Sequence, residues 1–104
     1  HLLDIYPPGE EPQQALWLEG LVYGALGRHQ DAVDSLVAAS RRAAPRADLL
    51  YQLALAERAS GQPIAAANTV RQALALDASH KSSHVLLAQL RGGGLPEQSD
   101  VIRR

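Results

Sequence analysis

Apolar residues recur along this chain at helical rather than alternating spacing, in stretches separated by proline or glycine. Pro12 suits the first turn of a helix running to about Leu26, where Gly27 can end it. A second helix is expected from about His29 to Ala43, stopped near Pro45. A third covers roughly Ala47 to Ser60 and ends at Gly61. Pro63 opens a fourth that continues to about Asp77. Ser79 is the expected N-cap of a fifth helix, which Gly92-Gly93-Gly94 terminates. In the second helix Ala32, Val33, Leu36, Ala39 and Ser40 lie on one side; in the fourth, Ala66, Ala67, Val70, Ala73 and Leu74 do. Short connections make successive helices antiparallel neighbours, so the chain is predicted to be all-α.

The pattern repeats. A shift of 34 residues carries Gly27 onto Gly61, Ala32 onto Ala66, Leu36 onto Val70 and Ala39 onto Ala73. The same shift pairs Leu16 with Leu50, Leu21 with Leu55 and Ala25 with Ala59. Applied again, it carries Trp17 through Tyr51 to Val85, and Leu53-Ala54 to Leu87-Ala88.

With these residues in register, the stretch from Pro12 to Arg91 resembles the tetratricopeptide repeat family. The resemblance rests on Gly20, Tyr23, Gly27, Ala32, Leu36 and Ala39 in one copy, and on Leu53, Ala54, Gly61, Ala66, Val70 and Ala73 in the next. It implies helical hairpins stacked as a short right-handed α-solenoid, about two full repeats plus a C-terminal A-type helix. The repeats are expected at 12–45 and 46–79, with a capping helix at 80–92. Residues 1–11 are expected to be a remnant of a preceding helix, because Leu2 and Ile5 fall on its core positions, or else an arm; 93–104 are expected to be a mobile tail. Departures from the pattern are Glu19 in place of an apolar residue, Glu57 in place of an aromatic, Leu16 and Leu50 in place of tryptophan, and Ala44 and Ala78 in place of proline.

Composition narrows the chemistry. The formal net charge is -1 and basic residues are scattered, so no nucleic-acid footprint or polybasic membrane patch is expected. No apolar run approaches the ~20 residues that span a bilayer, so no direct membrane insertion is expected. Cysteine is absent, which excludes disulfides, thiolate metal sites and a cysteine nucleophile, and fits cytoplasm or periplasm equally. His1 in place of methionine reads as the start of a piece of a longer chain. The Ala/Arg-rich, Lys-poor composition suggests a bacterial parent, and a binding scaffold of this kind is expected to be a segment of a larger assembly or secretion-type protein.

Catalytic and metal signals are weak. His80 and His84 share one helical face, a spacing that can hold zinc, but a third ligand is wanting: His29 belongs to another hairpin and Asp77 is only nearby. His84 is expected instead to be a partly buried helix-interface residue, and no metal or cofactor is expected. No serine is expected to sit with a histidine and an acid in a relay, and no carboxylate pair suggests acid/base work. The triple glycine is a helix stop rather than a phosphate loop. An enzyme is not expected.

The resemblance puts ligands in a concave groove lined by A-type helices. Its residues here are Gln14, Trp17, Leu18, Leu21 and Gly24; Asp48, Tyr51, Gln52, Leu55 and Arg58; and Ser82, Val85, Leu86 and Gln89. Only Arg58 is basic and none is asparagine, so a carboxylate clamp is not expected. An apolar groove suits a partner's amphipathic helix or extended apolar segment, with Trp17 and Tyr51 as anchors. The expected partner is a protein or peptide; the alternative is a homodimer in which another copy fills the groove.

Overall fold

The computed structural model describes residues 12–92, which form five α-helices and no strand. They are α1 (Gln13–Ala25), α2 (His29–Arg42), α3 (Ala47–Ala59), α4 (Pro63–Leu76) and α5 (Lys81–Gly92). The expectations for 1–11 and for the tail at 93–104 lie outside the described residues. Each helix packs on the next, and α1 also touches α3. No helix of the described residues is long and apolar enough to cross a membrane.

The helix bounds themselves obey the 34-residue step. Gln13, Ala47 and Lys81 begin α1, α3 and α5; His29 and Pro63 begin α2 and α4; Ala25 and Ala59 end α1 and α3. Local chemistry explains the coincidence. At the end of α1 the Arg28 N–H donates to the Tyr23 carbonyl and the Gly27 N–H to the Gly24 carbonyl. At the end of α3 the Gln62 N–H donates to the Glu57 carbonyl and the Gly61 N–H to the Arg58 carbonyl. Both are Schellman closures, which need a left-handed residue, and Gly27 and Gly61 take φ of 79° and 86°. Gly61→Ala should therefore cost about 1 kcal/mol in urea denaturation, the penalty of a Cβ in that region.

Two corrections concern helix starts. Pro12 is the N-cap of α1 rather than part of its first turn. Ser79 does not cap α5, because its hydroxyl and its N–H both donate to Asp77 Oδ1. Those two donors hold the Asp77 carboxyl below its usual range. The residue just before α5 is His80, and its Nδ1 accepts the Ser83 N–H at 3.2 Å.

The stripes expected on α2 and α4 are inward: Ala32, Val33, Leu36 and Ala39, then Ala66, Ala67, Val70 and Ala73, are buried, while Ser40 and Leu74 at their ends are only half-buried. One core cluster runs from Leu16 through Leu36, Leu49 and Leu50 to Ala73; a second joins Ala54 and Val70 to Leu86 and Leu90. Alanine at the crossings lets helix axes approach closely. Gly20 is the tightest point: a Cβ there would lie 2.6 Å from Leu36 Cγ.

Two carboxylates also face inward. Glu19 is buried and accepts the Tyr23 hydroxyl, which pushes the phenol above its usual value, and the Arg28 guanidinium lies 4.7 Å from the Tyr23 ring. Glu57, buried between α3 and α4, accepts the Thr69 hydroxyl at 2.6 Å. Burial pushes the Glu57 carboxyl above its ordinary 4.5, only partly offset by Thr69. The folded chain therefore keeps this proton to higher pH than the unfolded chain. Its contribution to stability is present at low pH and is lost as pH rises from 4.5 through the raised native value. Glu57→Gln keeps an acceptor for Thr69 and removes the charge. It should raise stability at pH 7 by on the order of 1 kcal/mol and flatten that slope, as measured by urea titrations across pH 4–8.

Candidate functional site

The expected groove residues fall into three environments. Leu21 of α1 shares a cavity of about 320 Å³ with Gln52 and Leu55 of α3, whose lining also includes Gly20, Gly24, Ala56 and His29. A neighbouring cavity of about 290 Å³ is lined by Gln14, Trp17, Leu18 and Leu21. Leu21 thus belongs to both. Leu18 and Leu21 are 50% and 40% exposed, so their apolar surface is open to contact.

Trp17 and Tyr51 are less open than the ladder expected. Arg46 lays its guanidinium 5.2 Å from the Trp17 ring, and the His80 ring lies 5.7 Å from Tyr51. These contacts are equivalent under the 34-residue step: the residue before α3 covers the aromatic of α1, and the residue before α5 covers that of α3. Trp17 packs on the first core and Tyr51 on the second. Among the described residues the buried Trp17 indole N–H has no acceptor, a cost of about 1–3 kcal/mol. Val85 is 56% exposed and lines neither cavity. Arg58 donates to Gln89 Oε1 at 3.0 Å, which joins α3 to α5 on the exposed side.

Two expectations are corrected in α5. Leu86, expected in the groove, is buried in the second core at the inner side of the helix. His84, expected at an interface, is exposed, and its Nε2 sits 2.7 Å from the Ala78 carbonyl. His80 is the inward histidine. Among the described residues no group of three or more His, Asp or Glu side chains is placed to hold a metal ion.

A serine, a histidine and an acid do meet, contrary to expectation. His80 Nε2 lies 2.7 Å from Asp48 Oδ1, and its Nδ1 lies 2.8 Å from Ser83 Oγ. Because Nδ1 accepts the Ser83 N–H, the ring proton is assigned to Nε2 and points at Asp48. Ser83 has 0% exposure, so its hydroxyl has no approach for a substrate. The arrangement caps α5 and pins it to the start of α3. The signal for it in the sequence was the register, since Pro12, Arg46 and His80 occupy one repeat position.

Among the described residues the chain is thus an all-helical array of packed neighbours with an apolar, largely uncharged face between α1 and α3. No protein-family model, curated protein or solved structure matches the chain.

Proposed function

We propose that this chain is a non-catalytic interaction module of the tetratricopeptide type. Its hairpins at 12–45 and 46–79, followed by the last helix, stack as a short right-handed solenoid, and the α1–α3 face receives a peptide or helix of a partner protein. The identical 34-residue spacing of helix starts and of the two glycine closures supports the repeat reading. The single observation that carries the function is the shared cavity of Leu21, Gln52 and Leu55, side chains from two different helices that enclose an apolar recess open at the surface. An occupant there would bury apolar area at about 25 cal/mol per Å².

The test is selection of 12-residue peptides from a random library on the whole chain, followed by titration of an enriched peptide against Trp17 fluorescence. Leu18→Asp with Leu55→Asp, both at positions that retain exposure, should weaken binding more than about tenfold while circular dichroism stays helical. Unchanged affinity in that variant, or no enriched peptide at all, rejects the groove.

One observation favours self-association as a second reading. The exposed side of α1 carries Val22 with Leu18 and Leu21, extended by the cap residue Leu26, while the one charged residue of α1, Glu19, faces inward. An uncharged face does not repel its own copy across a two-fold axis. Light scattering should then show a concentration-dependent dimer that Val22→Asp converts to monomer; a strict monomer at all concentrations removes this reading.

A further inference from the structure

The cavity between α1 and α3 has no counterpart of the same composition one repeat later. Its wall residues Gly24 and Ala56 correspond, 34 positions on, to Arg58 and Leu90. There Leu90 is 1% exposed and Arg58 reaches across to Gln89, so bulk stands where the first repeat has almost none. The polar residues differ in the same way. Gln52 and His29 line the first cavity, whereas the later positions hold Leu86 and Pro63. The recess is therefore a property of these residues and not of the repeat.

Volume and chemistry restrict what fits. At about 320 Å³ it stands at the lower end of ligand-pocket sizes and is about twice the ~150 Å³ that holds benzene. One bicyclic or phenolic ring fits; a helix does not. The walls are apolar, and the polar exceptions are Gln52, a donor and acceptor, and His29. Neither makes a side-chain hydrogen bond among the described residues, and each is only half-buried, so both are available to a ligand. No Asp, Glu, Lys or Arg lines the recess, which leaves a carboxylate or ammonium group without a fixed counter-charge there.

We infer that this recess is an anchor pocket for a single tyrosine or tryptophan side chain of the partner polypeptide, the ring lying against Gly20, Gly24 and Ala56 and its O–H or N–H meeting Gln52 or His29. The inference rests on the α1–α3 face being the peptide-binding face. Aromatic anchors of this kind bury large area with few rotors, and their polar tip requires a partner once desolvated.

The experiment uses alanine-based 12-residue peptides that differ only at a central Trp, Tyr, Phe, Leu or Ala. Binding to the whole chain is followed by nuclear magnetic resonance shifts of the Gln52 side-chain amide and the His29 ring. The Trp and Tyr peptides should bind about tenfold tighter than the Leu and Ala peptides, and both probes should move. Gly24→Leu projects into open space, since a Cβ at Gly24 meets nothing within 4 Å, and should erase the aromatic preference while the chain stays helical. Gln52→Leu, which copies Leu86 of the next repeat, should cut the preference for Tyr over Phe by about tenfold. Equal binding of all five peptides, with Leu18→Asp abolishing it, overturns the pocket and leaves the face standing. Absence of binding by every peptide overturns both. An aromatic preference that survives Gly24→Leu in a folded chain overturns the pocket alone.

Discussion

Replacing Gly20 by alanine should lower stability by about 1–3 kcal/mol, although alanine is the better helix former. The gain in helix propensity is at most about 1 kcal/mol. Against it stands a contact of 2.6 Å to Leu36 Cγ and 2.8 Å to Leu36 Cδ2. The atom struck first is the branch point of the side chain, so a simple methyl rotation does not relieve it. Leu36 is 1% exposed, and on its other sides it is held in the first core. Relief requires Leu36 to tilt toward the recess it lines with Gly20, or α1 to move away from α2. Gly24→Ala, one turn further along the same helix, meets nothing within 4 Å and should instead stabilise by about 0.5–1 kcal/mol. Urea denaturation of the two single variants tests the pair. Equal and stabilising effects would show that α1 and α2 do not cross at Gly20.

His80→Ala should cost about 2–3 kcal/mol, and the loss should be felt chiefly in α5. The substitution removes one of the two acceptors of the Ser83 N–H, which also donates to the His80 carbonyl at 3.1 Å, so the lost side-chain cap costs toward the lower end of about 0.5–2 kcal/mol. It also strips a partner from the Ser83 hydroxyl, which has 0% exposure. An orphaned group of that kind costs about 1–3 kcal/mol. The exposed contact to Asp48 adds little, as surface pairs contribute about 0–1 kcal/mol. Contact of the ring with Tyr51 is lost as well. Hydrogen exchange should accelerate for amides of α5 while those of α1 and α2, in the other core, stay protected. His80→Asn, which supplies a capping acceptor, should recover part of the loss. If His80→Ala leaves α5 amides as slow as before, the cap is not what holds that helix.

Helices, turns and register were all legible in the sequence because each depends on local chemistry. A left-handed closure demands glycine, so Gly27 and Gly61 marked two helix ends and, being 34 apart, set the period. Proline marked two starts within a residue. The inward stripes of α2 and α4 followed from 3.6-residue periodicity alone. Of the face between α1 and α3, register pairs Leu18 with Gln52 and Leu21 with Leu55, but it does not say that Leu21, Gln52 and Leu55 share one cavity while Leu18 lines its neighbour.

Other features depended on residues distant in the chain. No local pattern distinguishes Ser79 from His80 as the cap of α5; the choice is made by Asp48 and Tyr51, more than 28 positions away, which hold the imidazole where its Nδ1 meets the Ser83 N–H. Register alone makes Trp17 and Tyr51 open anchors; the structure covers them with Arg46 and His80. The burial of Glu19 and Glu57 runs against their polarity and is set by the helices packed over them. Sequence alone determined where this chain turns and which stripes seek a core, because backbone sterics and side-chain periodicity act within a few residues. Tertiary structure alone decided which surfaces remain open, because exposure at any position depends on the bulk of side chains that approach it from other helices.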